Sequence, residues 1–460
     1  MTSTVKQPNL ETLLSNLKKD ELIRIIVDLA DHEPGIEKGI LFTYAPAEDE
    51  VKASKKLIRE YINRYKRQNF ISWNVVPNAL QGADMTLGKA RDKMAQGESE
   101  TAAELCVAVM GPVVGMLQYA DDSGGYIGDV MGESLMIIHE AVFLSAETKG
   151  EPEKDKLFSI LLKEALHKRY DDWTDWRYGL LESSTILCDS AKRKDKLDQH
   201  LEQMITEVDK NEWGAKFEIS SIKMLQLALI EQWNNEEEKM DFINENIRYD
   251  EFRKKAIDIL LEKGEYSEVL ALCEEGQQVD MAYRGLVAQW RKYMLLAYEG
   301  LGDTTKQKEL MHEFIYAGEF SYYNPLKKLY TREEWPEVLN DLFETFENES
   351  HLSYTYLQIL KEEQLNEKIL GYTKRKYGSI MELYPELKKD YPEDVNELMI
   401  SYIASEAEKS NDRKKYRKVC KHIKEYKKVF GSQFADGLIQ ELKQKYVKRP
   451  AFVDELGKIK

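Results

Sequence analysis

The sequence predicts an all-α fold, with a helical bundle over 1–150 followed by an α-solenoid of antiparallel helix pairs over 151–460. Apolar residues recur at spacings of three and four almost throughout, and strand-like alternation is scarce. Only 11 prolines and 25 glycines stand in 460 residues beside abundant Leu, Glu and Lys, a balance that favours helix. Beyond 150, short Gly, Asp or Pro connectors cut the periodic runs into pairs of helix length.

The first helix is read from NLETLLSNLKKDELIRIIVDLADHEP, where Leu13, Leu14, Leu17, Leu22, Ile25, Ile26 and Leu29 form one stripe that Pro34 ends. A second amphipathic run covers about 51 to 67, a long one 98 to 120, and another 129 to 147. Pro112 inside the long run predicts a kink there. In KGEYSEVLAL (263–272) and LGDTTKQKEL (301–310) a glycine ends one helix, a short turn follows, and an amphipathic helix begins. Gly264 and Gly302 lie 38 residues apart, near the period of tetratricopeptide-like helix pairs. A third turn at Gly318 comes only 16 residues later, so the repeats are degenerate. A single pair cannot bury its own apolar face, and stacked neighbours supply the missing core.

Hydrophobic residues make up 42% and charged residues 32% of the chain, enough for real cores beneath a large wet surface. No uncharged apolar run approaches the roughly 18 residues of a membrane span, and the N-terminus lacks the apolar stretch of a signal peptide. A soluble, cytoplasmic chain with no membrane association is the expectation. Cys106, Cys188, Cys273 and Cys420 lie at least 80 residues apart, so no local zinc-ligand spacing exists, and they read as small buried apolar residues. The formal net charge of −16 argues against a surface that grips nucleic acid everywhere, though not against a local basic patch.

The stretch DDSGGYIGDV, from Asp121, has the look of a metal or phosphate loop. An EF-hand register starting at Asp121 puts Tyr126 where glycine is needed and Gly132 where glutamate is needed. Starting at Asp122 places Glu133 correctly but puts Ile127 at the glycine position. The stretch therefore reads as a helix connector, with Gly124 and Gly125 allowing positive φ and Asp129 or a neighbour capping the next helix. His139 and His312 each precede a glutamate, but Phe143 and Tyr316 stand where a zinc protease carries its second histidine. With no GxSxG, GxGxxG or CxxC, the chain reads as non-enzymatic and without a cofactor.

Two basic stretches interrupt the acidic background. KASKKLIREYINRYKR (52–67) includes Lys55, Lys56, Arg59, Arg64, Lys66 and Arg67, and RKKYRKVCKHIKEYKK (413–428) includes Arg413, Lys414, Lys415 and Lys418. Either could dock phosphates or an acidic partner. In the second, Tyr416, Val419, Cys420, Ile423 and Tyr426 or Lys427 form the inward stripe, which places the basic residues outside. An aromatic cluster, RYDDWTDWRYGLL, gathers Tyr170, Trp173, Trp176 and Arg177, and Trp290 with Arg291 lies further on. Trp and Arg together make interaction hot spots; packing between solenoid helices is the plainer reading, as it is for Tyr322, Tyr323, Tyr330 and Trp335.

Several phrases together carry a resemblance: LLSNLKKDELIRIIVDLADHEPGIEKGI, DDSGGYIGDV, GLVAQWRKYMLLAYEGLGD followed by YAGEFSYYNPLKKLYTREEW, and YVKRPAFVDEL. In this order they resemble the helical region of bacterial SWIM-type zinc-finger proteins over nearly the whole chain. In that family a finger with a CxC and CxH arrangement precedes the helices; this sequence contains neither, so zinc binding and finger-mediated DNA contact do not carry over. The family also tends to a second aspartate where Gly124 stands. The resemblance implies a helical, tetratricopeptide-like scaffold in a family sometimes associated with DNA-processing helicases.

Three functions are therefore weighed. The first is a protein–protein interaction scaffold that binds a partner helix or peptide through Trp173, Trp176, Arg177, Trp290 and Arg291. The second is a nucleic-acid accessory protein using the basic helices at 52–67 and 413–428. The third is a peptide-sensing regulator whose array changes curvature.

Overall fold

Helices form wherever the three-and-four spacing runs. The structure, a computed structural model, describes residues 9–32, 34–44, 49–209, 214–348 and 352–459. Among them the fold is all-α, with 25 α-helices, short 3-10 turns and two isolated β-bridges. No helix among the described residues is long and apolar enough to cross a membrane. The chain forms two compact units, one ending at Asp258 and the other beginning at Ile259.

The first unit holds α1 (Leu10–Ser15), α2 (Lys19–His32), α3 (Pro34–Tyr44), α4 (Glu50–Tyr65), α5 (Val76–Ala95) and α6 (Ser99–Met116). It continues with α7 (Tyr126–Thr148), α8 (Glu151–Ala165), α9 (Thr174–Ile186), α10 (Ala191–Glu207), α11 (Ala215–Gln232) and α12 (Glu236–Glu245), and ends within α13 (Asp250–Lys263). The helix expected from NLETLL to Pro34 is in fact two. It breaks after Ser15, where the Glu21 carboxylate accepts from the Lys18 N–H (2.9 Å) and caps α2. Pro34 opens α3 rather than closing a helix, since a first-turn residue needs no N–H.

The middle of this unit is a bundle. Helix α4 packs on α5 and α6, α6 on α7 and α8, and α7 on α9. Gly82 permits the closest approach, because a Cβ there would sit 3.0 Å from the backbone of Ile58 and Leu57. Helix α6 persists through Pro112. One apolar core runs from Ile58 on α4 to Leu229 on α11, joining Val109 and Met110 to Leu157, Phe158, Leu180 and Leu181. The core crosses position 150 without a break, because α8 lies on α6 and α9 on α7, so the compact unit extends well past the boundary suggested by the sequence.

The second unit holds α14 (Tyr266–Val279), α15 (Arg284–Leu301), α16 (Thr304–Tyr316), α17 (Tyr323–Lys328), α18 (Trp335–Glu347) and α19 (Tyr354–Glu362). The rest is α20 (Asn366–Arg375), α21 (Ile380–Leu387), α22 (Pro392–Lys409), α23 (Arg413–Phe430), α24 (Ser432–Lys445) and α25 (Pro450–Gly457). Contacts run between chain neighbours, α14 with α15, α15 with α16, α19 with α20, and so on to α23 with α24. This is solenoid order.

The turns repeat one device. Gly264, Gly302 and Gly318 all have positive φ, and each is followed by an N–H that reaches back five residues: Glu265 to Leu260, Asp303 to Tyr298 and Glu319 to Phe314. A fourth copy, Leu365 to Leu360 (2.9 Å), turns on Gln364 at φ 56°. A side chain there carries strain that glycine would not.

Aromatic edges stitch these helices together. Tyr323 meets Trp335 at 5.5 Å, Tyr316 meets Phe346 at 5.6 Å, and Phe346 and Phe343 both meet Tyr356. Tyr323, Tyr330 and Trp335 are thus packing groups, and Tyr322 packs on Phe314.

Candidate interaction surfaces

The connector from Asp121 is built by its own carboxylates. Asp121 accepts from the Ser123 N–H and hydroxyl, and Asp122 accepts from the Ile127 N–H (3.0 Å), so Asp122 rather than Asp129 caps α7. Gly125 has φ 75°, whereas Gly124 is needed for space, since a Cβ would strike the Tyr126 ring. Among the described residues no group of three His, Cys, Asp or Glu side chains is placed to hold a metal. All four cysteines are buried, and burial pushes the Cys420 thiol up to about 11 and that of Cys188 to about 12.

His139 is exposed on α7, and His312 lies within 3.3 Å of the Tyr330 hydroxyl.

The Trp and Arg residues singled out in the sequence are mostly structural. Trp290 is 0% exposed, and its indole N–H donates to Asp280 at 3.0 Å. A partner cannot reach it, which corrects its assignment to a binding surface. Arg291 clasps three helices, donating to Gln277 on α14 and pairing with Glu313 on α16 at 3.0 Å. Arg177 donates to the Ala165 and His167 carbonyls at and past the end of α8 and pairs with Asp171 at 2.6 Å. Trp176 packs against the core, and Trp173 stacks on it at 5.3 Å while remaining exposed. Arg177→Ala is expected to leave the Ala165 carbonyl and Asp171 without that donor, while the His167 carbonyl keeps the Tyr170 N–H, and to lower stability by about 1–3 kcal/mol, read as a drop in melting temperature. An unchanged melt would show that these contacts contribute nothing to the fold.

The two basic stretches differ once folded. On α23 the inward stripe is as the spacing requires, with Tyr416, Val419, Cys420, Ile423 and Tyr426 buried. Its cations are largely matched, mostly from neighbouring helices: Arg413 with Asp454 and Glu455, Arg417 with Glu455, Lys418 with Glu406 (3.1 Å), and Lys415 with Asp412. Only Lys414 of the four residues named there lacks an ion pair among the described residues.

On α4, by contrast, Lys52, Lys55, Lys56 and Arg59 line one open groove with Asn63 and Glu60, and none of the four cations forms an ion pair among the described residues. Arg64 lies over the Tyr61 ring, and Lys66 over that of Tyr119 at 3.5 Å. Lys66 and Arg67 are held there by a tight reversal at Gln68 and Asn69, tied by the Arg67–Phe70 bridge, with Ile71 bonded to Tyr119 and Asp121.

A further surface is one that periodicity could not reveal. Helix α2 buries none of its residues. Ile23, Ile25, Ile26, Val27 and Leu29 are 40–54% exposed, although α3 packs along the helix. The apolar residues span more than half the circumference of α2, so one neighbour cannot cover them all.

No family model matches the sequence, and no curated protein is similar to it. A solved protein described as a circular tandem repeat protein with novel repeat topology and enhanced subunit contact surfaces is 11% identical over 89% of this chain and 92% of its own, with a TM-score of 0.23. So loose a superposition supports no statement about function.

Proposed function

We propose that the chain is a non-enzymatic protein-interaction scaffold, the role implied by its resemblance to the helical region of SWIM-type zinc-finger proteins, and that α2 is its docking face. The uncovered apolar arc of α2 carries this reading. Contiguous exposed apolar surface marks protein contact sites, and an amphipathic partner helix laid along α2 is the simplest cover. The polar side of α2 carries Asp20, Glu21, Asp28 and Asp31 against Arg24, so the partner helix is one whose apolar stripe is flanked by Lys or Arg. The test is a paired substitution on α2, developed in the Discussion.

A second reading, nucleic-acid association, rests on Lys52, Lys55, Lys56 and Arg59 of α4, which form no ion pair among the described residues. The 413–428 helix contributes little to it, since neighbouring carboxylates already neutralise most of its charge. Under this reading, affinity for a short DNA or RNA duplex falls steeply with salt, and Lys55→Gln with Arg59→Gln lowers the logarithmic salt slope by about two, roughly one per lost phosphate contact. Absence of any mobility shift at about 50 mM salt removes this reading.

A further inference from the structure

A cleft of about 570 Å³ opens between α3, α4 and α5, within the size range of small-molecule sites. Its apolar walls are Ile36 and Ile40 on α3 and Met85 on α5. Two glycines four residues apart, Gly35 and Gly39, keep the α3 wall back. A Cβ at position 39 would come within 3.3 Å of the Met85 methyl, and one at 35 within 3.7 Å of the Tyr61 hydroxyl. The Lys38–Glu60 ion pair (2.5 Å) ties α3 to α4 beside the cleft.

Three polar groups meet this apolar space. Tyr61 is 1% exposed, and its hydroxyl has no hydrogen-bond partner among the described residues. A buried hydroxyl left unpaired is costly and rare, and this one lines the cleft opposite Gly35. Gln81 and Asp84 lie one turn apart on α5, and among the described residues neither side chain has a hydrogen bond or ion pair. The local charge is negative. Asp84 feels the carboxylate of Glu133, and Arg91 is engaged with Glu133 at 2.8 Å. The low-polarity walls, then the Glu133 charge, hold the Asp84 carboxyl above its usual range although the residue still reaches solvent. A cation beside Asp84 would counter the Glu133 repulsion and favour the ionised carboxylate.

We propose that this cleft binds a small apolar amine, with its hydrocarbon part between Ile36, Ile40 and Met85 and its ammonium among the Asp84 carboxylate, the Gln81 amide oxygen and the Tyr61 hydroxyl. Three acceptors around one compact apolar slot match a primary ammonium, which has three N–H donors. The site is separate from the arc of α2 and from the outward cations of α4.

The test uses the full chain and three probes of equal carbon number: hexylammonium, hexanoate and 1-hexanol, followed by calorimetry or ligand-observed NMR at neutral pH. Hexylammonium is expected to bind saturably and at least about tenfold more tightly than either other probe. Asp84→Asn weakens it about tenfold, and Tyr61→Phe weakens it about three- to tenfold. Gly39→Leu abolishes binding by filling the cleft. Gln81→Glu, at an exposed position where folding is unaffected, tightens hexylammonium about three- to tenfold. Circular-dichroism melts confirm that each variant is folded. Equal binding of hexanoate and hexylammonium, indifference to Asp84→Asn and Gln81→Glu, or no saturable binding of hexylammonium overturns the proposal.

Discussion

Replacing Arg193 by methionine is expected to lower the unfolding free energy of the first unit by about 3 kcal/mol, or roughly 6–12 °C in melting temperature. Arg193 is 2% exposed at the start of α10. Its Nε donates to the Leu187 carbonyl at 2.6 Å, and its two terminal nitrogens meet Asp155 (2.5 Å), Glu151 (3.0 Å) and Asp189. Lys154 reaches Asp189 at 2.7 Å and Lys192 reaches Asp155 at 3.0 Å, so α8 and α10 are joined through one charged network. Methionine retains the length of the stem but leaves a buried carbonyl without its donor and three carboxylates short of a cation. Because those carboxylates remain partly open to water, the loss falls at the low end for a broken buried pair.

The same network sets an acid dependence. The hydrogen bond from Arg193, then that from Lys192, holds the Asp155 carboxyl below its usual range. Burial pushes Asp189 up, but hydrogen bonds from Lys154 and Arg193 outweigh it and its pKa is also lowered. A carboxylate whose folded pKa is depressed stabilises the fold fully above its unfolded value, about 3.9 for Asp, and loses that contribution as pH falls through the folded value. The gap in melting temperature between the natural chain and Arg193→Met is expected to hold steady from pH 7 to about 5 and to shrink below about pH 4. A gap that ignores pH would mean that Arg193 acts by packing alone.

The second large effect lies on α2. Ile23→Asp with Val27→Asp is expected to abolish partner capture while moving the melting temperature by no more than about 2–4 °C, since exposed substitutions typically change stability by less than about 0.5 kcal/mol each. Ile23 and Val27 are 48% and 54% exposed, one turn apart. Two carboxylates there would have to be dehydrated against the partner's apolar stripe, inside its flanking cations, a cost that binding cannot absorb. A large fall in melting temperature would show instead that this face is packed within the fold.

What the sequence disclosed follows from what local spacing encodes. The inward stripe of α23 was legible because Tyr416, Val419, Cys420, Ile423 and Tyr426 recur at helical intervals and all are buried. The glycine-ended turns were legible too, since Gly264, Gly302 and Gly318 need positive φ. The turn at Gln364 was hidden, as glutamine does not advertise that geometry. Neutralisation of α23 was invisible because its acids come largely from other helices, Glu455 on α25 and Glu406 on α22. Likewise, periodicity identified the apolar side of α2 but not that it lacks cover. Composition gives no way to tell a Trp such as Trp290, sealed in the core with Asp280, from one that greets a partner. The Tyr61 cleft had no sequence signature, since its groups converge from three helices.

The most direct measurement is affinity capture of the tagged full chain from its own cell lysate after nuclease treatment, read by mass spectrometry. The natural chain is compared with Ile23→Asp/Val27→Asp and with Lys55→Gln/Arg59→Gln. The expected result is a defined set of proteins held by the natural chain and by the α4 variant, and lost from the α2 variant. Retention of the same set by the α2 variant, or loss of every protein with nuclease, would contradict a scaffold that docks its partner on α2.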